Sequence, residues 1–533
     1  MPPPPVATTM AEANAAPPWA GENASDAMQG FSREPGTTGP ITITLPKAGE
    51  RKVWGWAVII AVGGFLFGFD TGVVSGALLY IAKDFDLSNS EKSSVVSVLL
   101  IGAMIGALAA GRISDGLGRK KAVTLFGLVF AVGTLVAVVA QDYWTLLAAR
   151  FILGLAVGGA SAQVPVYLGE ISPANIRGRI LSLNQLLITV GILCSYLIDL
   201  AFSHSGNWRA MFAFGAIPAL ILSLGVWFVV PESPTWLYTQ GRTEQLRKGL
   251  LKVTDAAQAD EIIEVYGRRT ALAAEQEAAR GEHEKGWRIL LTPGVRPAMI
   301  VGLTMAALQQ FGGINTIIYY APTIIEQTGR SASNSIIYSV YIGIINFVMT
   351  VVAINTIDRL GRRQLLLTSL AGMAGFVALL GFSFIWSWNS NLTLLFMVAY
   401  IAAFAGGLGP VFWVLVGEIF PTRAKADGSS AATTVNWLSN FIVSESFLTV
   451  ANGIGQGQTF LIFAGVCVVG LLFVGRYVPE TKNRDTNEVQ AALFKRFGKQ
   501  PVPASRTSAA SYDAGRADAG SAVDPAERRQ DRR

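Results

Sequence analysis

The chain has 533 residues, 51% of them hydrophobic and only 15% charged. Soluble domains carry about 25% charged residues, so the composition excludes an ordinary soluble protein before any motif is read. The net charge of +6 does not mark a nucleic-acid binder, because the basic residues fall in short loops between apolar stretches.

Residues 1–46 are rich in Pro, Ala, Gly and Thr and lack the basic n-region and apolar h-region of a signal peptide, so they read as a disordered tail. About twelve stretches then reach the ~20-residue length of a membrane-spanning helix. They are 53–79, 93–112, 121–140, 144–168, 179–201, 209–230, 297–326, 334–357, 364–387, 391–417, 427–451 and 458–478. The fold class is therefore all-α integral membrane: an N-terminal six-helix half at 53–230 and a C-terminal half at 297–478. Between them, 231–296 is polar, and TEQLRKGLLKV and ADEIIEVYGRR within it read as amphipathic helices beside the membrane. Residues 479–533 read as a mostly disordered C-terminal tail.

Lys and Arg crowd one set of loops: Arg112, Arg119, Lys120, Lys121, Arg177, Arg179, the 231–296 segment, Arg359, Arg362, Arg363, Arg423 and Lys425. The positive-inside rule makes those loops, and both termini, cytoplasmic. This gives a multi-pass protein of the cell membrane.

The two halves repeat. GRISDGLGRKK at 111–121 recurs as NTIDRLGRRQ at 355–364, aligning Asp115 with Asp358 and Arg119 with Arg362. GEISP at 169–173 recurs as GEIFP at 417–421, and PESPTW at 231–236 as PETKNR at 479–484. Glu170 and Glu418 thus fall at equivalent cytoplasmic helix ends, as do Glu232 and Glu480. A carboxylate at a helix C-terminus opposes the helix dipole and gains from a cation. Arg112, Arg177, Arg359 and Arg423 are the candidates for that cation, and Asp115 and Asp358 add further carboxylates. Together these residues are the expected cytoplasmic gate. The bland alternative is a set of independent, solvated topology signals.

Few charges stand inside the spans. Asp70, in FLFGFDTGVVSG, is the clearest, and an intramembrane acid is a functional residue by default. It lies ~25 Å up the first helix at 1.5 Å per residue, and Arg150 lies ~9 Å down the fourth from the outer side. In a core ~30 Å thick the two depths nearly agree, so Arg150 is the expected partner. An acid that can lose its charge suits proton coupling. The alternative is a permanent salt bridge between helices one and four. Glu445, in VSESF, is a second embedded acid nearer the outer face, without an assigned role.

Neutral polar residues gather at mid-span: Gln185, Gln309, Gln310, Asn315, Tyr319, Asn346, Trp413, Asn436 and Trp437. Amides donate and accept, as a polyhydroxyl ligand requires, and tryptophans offer a face for its C–H groups. Gly312–Gly313 and Gly406–Gly407 with Pro410 imply broken helices seven and ten beside such a site. The alternative is that the amides only join helices.

The set GRISDGLGRKK, VPVYLGEISPANIRGR, PESPTWL, QQFGGINTIIYYAPTI, GPVFWVLVGEIFP and PETK resembles the sugar porter family of the major facilitator superfamily, across residues 53–490. NQLLITVGILCSYLIDLAFSHSGNWRAMF looks most like bacterial galactose and arabinose proton symporters. The resemblance implies sugar contacts at Gln185, Gln309, Gln310, Asn315, Trp413, Tyr319, Asn346 and Asn436, proton coupling at Asp70, and ion pairs that close the cytoplasmic face. Ile192 and Asn436 stand where xylose symporters carry glutamines, which leaves hexose, arabinose or inositol open. The expectation is a proton-coupled monosaccharide importer working by alternating access as a monomer. A facilitative uniporter and a non-transporting sensor on the same fold are the alternatives. No nucleophile–base set, metal-ligand cluster, phosphate loop or cofactor motif is visible, so neither an enzyme nor an ATP-driven pump is expected.

Overall fold

The computed structural model describes residues 45–173, 175–279, 286–326, 332–421, 424–482, 484 and 486–498. The tails before 45 and after 498, and the gate candidate Arg423, lie outside the described residues. The first half comprises α1 (Lys47–Asp84), α2 (Asn89–Leu117), α3 (Arg119–Val139), α4 (Tyr143–Ile171), α5 (Arg177–Phe202), α6 (Trp208–Ala213) and α7 (Ala216–Phe228). The connecting segment holds α8 (Pro234–Thr239), α9 (Thr243–Leu250), α10 (Ala256–Ala279) and a 3-10 turn, Gly286–Leu291. The second half comprises α11 (Arg296–Phe311), α12 (Ile314–Glu326), α13 (Ala332–Leu360), α14 (Arg362–Ile385), α15 (Ser390–Ala405), α16 (Leu408–Ile419), α17 (Lys425–Ile454) and α18 (Gln456–Tyr477), followed by α19 (Thr486–Arg496).

Among the described residues, 11 helical spans are long and apolar enough to cross a membrane. The twelfth expected span is α17, 30 residues long. Its Asn436, Ser439, Asn440 and Ser444 make it more polar than the others, and all four are buried. Its polar face is turned inward, while Leu438, Ile442, Val450 and Ile454 are exposed on the other.

Local chemistry sets the ends. Ser88 and Glu91 form a reciprocal capping box on α2, and Asp142 caps α4 by accepting the Thr145 N–H at 2.9 Å. Spans seven and ten are broken where the glycine pairs fall. Gly313 adopts φ +90 between α11 and α12, a conformation that L side chains rarely take. Between α15 and α16 the freed Leu408 N–H donates to Ser369 Oγ at 2.9 Å. The sixth span, expected as one helix over 209–230, is also broken. Pro218 has no N–H to return to the Phe214 carbonyl, so the chain tightens there and Ile217 N–H bonds Phe214 O at 3.2 Å instead.

α1 packs along α5 on Gly64, Gly68, Gly72 and Gly76, one glycine per turn. A Cβ on Gly68 would lie 1.9 Å from the Ile188 carbonyl oxygen, so the two backbones touch directly. α8, α9 and α10 bury Trp236, Leu237, Leu246, Leu250 and Ile262 in a small core of their own. α19 falls in the stretch read as mostly disordered tail. It is held by buried Val489, Leu493 and Phe494 and by Gln490 Nε2, which donates to the Ile419 carbonyl at 2.6 Å.

The two halves do not meet evenly. One apolar cluster joins them, and its first-half members, such as Phe69, Val73, Leu78, Val95, Tyr196 and Trp208, lie away from the basic loops. The other cluster lies toward the basic loops and is built mainly from the first half, with Val253 of the connecting segment and Trp437 of the second half, beside which Phe441 packs.

Candidate substrate and proton sites

At the basic-loop end each half carries the same ionic cluster. Arg119 opens α3 and donates to Glu170 at the end of α4 through Nε at 3.0 Å and Nη2 at 3.2 Å, and to Asp115 through Nη1 at 2.9 Å. Arg362 opens α14 and donates to Glu418 on α16 through Nε at 3.2 Å and Nη2 at 2.9 Å, and to Asp358 at 3.0 Å. Ser233 and Thr481 hydroxyls complete the two sites by donating to Glu170 and Glu418. Bidentate arginine–carboxylate pairs are the strong geometry.

Glu232 and Glu480 sit one element further on, against the start of α3 and α14. Glu232 accepts the Lys120 N–H at 3.0 Å, and Glu480 accepts the N–H groups of Arg362, Thr481 and Lys482 at 2.9 Å and of Arg363 at 3.0 Å. Burial pushes the Glu480 carboxyl up, but those backbone donors outweigh it and hold it below its ordinary value. Gly118 and Gly361, at φ +95 and +88, make room: a Cβ on either would strike the glutamate.

The cations on Glu170 and Glu418 are therefore Arg119 and Arg362, and not the expected Arg112 or Arg359. Arg112 and Arg359 are exposed, and Arg177 Nη2 donates to the Ser172 carbonyl at 3.2 Å. Among the described residues neither cluster reaches across to the other half.

Asp70 and Arg150 meet in the interior of the first half. Arg150 Nη1 donates to Asp70 Oδ1 at 2.8 Å, and the side chains are 1% and 2% exposed. Arg150 Nε donates to the Val95 carbonyl at 3.0 Å, and its guanidinium stands 5.8 Å from the Phe212 ring. One arginine thus ties α1, α2 and α4. The second carboxyl oxygen of Asp70, Oδ2, is buried and has no hydrogen-bond partner among the described residues.

The amides of the second half form one network. Asn315 Nδ2 donates to Gln310 Oε1 at 2.7 Å, Gln310 Nε2 donates to Asn436 Oδ1 at 3.1 Å, and Asn436 Nδ2 donates to Gln309 Oε1 at 2.7 Å. Gln309 Nε2 reaches the Gly409 carbonyl at 3.2 Å, beside the break before α16. Asn440, which the sequence reading did not single out, donates to the Tyr319 hydroxyl at 3.4 Å. Tyr319 also lies close to Thr71, next to Asp70, and one turn of α12 from Asn315, so one tyrosine stands between the acid and the amide network.

Trp437 is buried with its indole N–H unpartnered, and its ring lies 5.5 Å from Phe67 of the first half. Trp413 is 41% exposed and packs edge-on to Phe412 at 4.9 Å. Gln185 on α5 is half-buried, and Asn346 is buried on α13 outside the network. Gln163 on α4 is buried with an unpartnered Oε1. It sits in an apolar-looking run, and no sequence signal marked it.

At the end opposite the basic loops the halves are joined by polar contacts. Lys83 pairs with Glu326 at 3.8 Å, the Tyr196 hydroxyl donates to the Ile318 carbonyl at 3.0 Å, and Ser94 and Ser97 donate to Glu445.

The family model described as "Sugar (and other) transporter" matches residues 56–493. The galactose-proton symporter of Escherichia coli (strain K12) is 36% identical over 443 residues, 82% of this chain and 93% of that one. The D-xylose transporter of Levilactobacillus brevis is 36% identical over 455 residues, 84% of this chain and 97% of that one. Among solved structures, the xylose transporter XylE from E. coli in a partially occluded inward open conformation superposes with a TM-score of 0.70 at 30% identity, covering 81% of this chain and 99% of that one.

Proposed function

We propose, for a chain that belongs to the sugar transporter family, that it imports a monosaccharide, a hexose or a pentose, together with a proton by alternating access. The relatives include proteins named as proton symporters of galactose and arabinose, and this family consists of transporters rather than enzymes. The protein is multi-pass. In the orientation proposed here the basic loops and both termini face the cytoplasm and the membrane is the plasma membrane. The structure, joined at the opposite end, is then the inward-facing form of a functional monomer.

The observation that carries the reading is the buried Asp70–Arg150 pair bordering a network of amides through Tyr319. Protonation of Asp70 removes the charge that holds Arg150. Arg150 then keeps the Val95 carbonyl on α2, and α1 is released from α4. The open Oδ2 is the oxygen placed to take the proton. Sugar hydroxyls exchange with the amide–amide bonds of Gln309, Gln310, Asn315 and Asn436, each of which can donate or accept. The Trp437 N–H gains an acceptor, and Trp413 and Gln185 complete the contact. At the basic-loop end the Arg119–Glu170 and Arg362–Glu418 clusters hold each half's helix ends as a unit while the halves rotate.

Uptake into proteoliposomes tests this, with a panel of labelled sugars and an imposed pH gradient. Accumulation above the outside concentration only when the gradient is present is the expected result. Equilibration that ignores the gradient would make the protein a uniporter, and binding without uptake would make it a sensor.

A further inference from the structure

Glu445 is an embedded acid that the scheme above does not use. It is half-buried on α17; it accepts the Ser97 hydroxyl, and the Ser94 hydroxyl, 3.4 Å away, is shared between it and the Ser90 carbonyl at 3.1 Å. Ser94 and Ser97 are three residues apart on α2 and so present one face. The contact crosses from the first half to the second. Among the described residues no lysine or arginine pairs with Glu445.

That arrangement differs from the clusters at the basic-loop end. Glu170 and Glu418 are each gripped by a guanidinium on their own half, so a movement between halves leaves those pairs intact. Glu445 is met only by neutral hydroxyls belonging to the other half. Closing this end strips water from a carboxylate, which is unfavourable unless donors replace it; the Ser97 hydroxyl replaces it, with a shared contact from Ser94. Opening this end returns the carboxylate to water. The contact therefore has a different free energy in the two states, which is what any element that biases a two-state equilibrium must have. Because hydroxyls rather than a cation hold it, the latch is light enough to release on every cycle.

We infer that Glu445, with Ser94 and Ser97, is the outer latch of the transporter: a positioning element that stabilises the form closed at this end. The inference rests on the alternating-access reading above.

Distances between spin labels on the full-length protein in nanodiscs test it, after Cys194 and Cys467 are replaced. One pair, Asn89→Cys with Leu392→Cys, spans the outer end; the other, Leu117→Cys with Leu360→Cys, spans the basic-loop end. All four positions are exposed. In the unliganded protein Glu445→Ala and Ser97→Ala should each shift population several-fold toward a longer outer distance and a shorter inner one. Glu445→Gln, which keeps one acceptor oxygen, should shift it less. Unchanged distances in both alanine variants would overturn the latch, and so would broadening at both ends together, the mark of mere loosening. Ser97→Ala deletes one hydroxyl and carries the test alone if Glu445→Ala does not fold. The measurement needs neither sugar nor a pH gradient, so a failure of the transport reading would appear separately, as a wild-type protein that accumulates no sugar.

Discussion

Glu480 closes over the first turn of α14 and takes the Arg362 backbone N–H at 2.9 Å, while the Arg362 side chain turns away to grip Glu418. One residue is thus bound twice, by main chain to one glutamate and by side chain to another. Lys120 and Arg119 divide the same two tasks between Glu232 and Glu170 in the first half.

The Glu480 carboxyl should make the protein acid-sensitive. Its pKa in the folded state lies below the ordinary glutamate value, about 4.3 in the unfolded chain. Its contribution to stability is therefore complete above that unfolded value and is lost as the pH falls through the folded one. Glu480→Gln should be less stable at pH 7 by about 0.3–1 kcal/mol, the usual worth of a carboxylate at a helix N-terminus. It should also lack one component of the acid-induced fall in melting temperature, followed in detergent from pH 6 to ~3. Identical profiles for variant and wild type would contradict this.

Asp70→Asn should abolish accumulation against a gradient and leave sugar exchange across the membrane measurable, because asparagine fills the site without a titratable proton. A variant that still concentrates sugar would remove Asp70 from the coupling step.

Gln309→Ala deprives Asn436 of one of its two acceptors, and Trp413→Ala removes a partly exposed aromatic face. Each should weaken sugar binding by about 1–3 kcal/mol, the cost of leaving a buried polar partner unsatisfied or an equivalent loss of contact. Equilibrium binding by tryptophan fluorescence or calorimetry measures it, and wild-type affinity in both variants would reduce the network to helix packing.

The ionic clusters should behave as two separate units. A double-mutant cycle between Arg119→Gln and Glu170→Gln should show coupling of about 0.5–3 kcal/mol in thermal stability, as for residues in one hydrogen-bonded pair. The same cycle between Glu170→Gln and Glu418→Gln should be additive to within about 0.5 kcal/mol. Strong coupling between the two glutamates would mean that the clusters join across the halves.

Gly68→Ala should destabilise by about 1–3 kcal/mol, since its Cβ has no room against the Ile188 carbonyl. Gly111→Ala, at a position with open space around it, serves as the comparison and should cost nothing or stabilise slightly.

Much of this was legible in the residues. Long uncharged runs fixed the spans, and the glycine pairs marked where spans seven and ten break. The sequence also paired Asp70 with Arg150, because the rise per residue puts the two charges at nearly the same depth. Other features were out of reach for physical reasons. The repeat set Glu170 in register with Glu418, but register along a chain does not say which of several arginines in a basic loop points at a given carboxylate. The four-residue spacings of Asp115 from Arg119 and of Asp358 from Arg362 were the one available signal for the right two, and the sequence reading passed over it. α17 read as one more span, and only its packing shows Asn440 turned toward Tyr319. Pro218 stood in view within span six, yet its effect depends on a local tightening that apolar length conceals. α19 hides in a polar tail because three apolar residues are enough to dock so short a helix.

The glycine-lined seam between α1 and α5 has a consequence for how such a protein can diversify. With backbone against backbone, α1 cannot slide on α5, so the Asp70 carboxyl and the Gln185 amide travel as one rigid body. The interlocked amides and Trp413, by contrast, belong to the second half. On the reading proposed above, energy input and most of the cargo contacts, Gln185 excepted, are thus housed in different halves of one duplicated frame. Cargo preference can then drift in α11, α12, α16 and α17 while the drive stays as it is, and a chimera exchanging those helices for a relative's would inherit the relative's diet and keep this protein's engine.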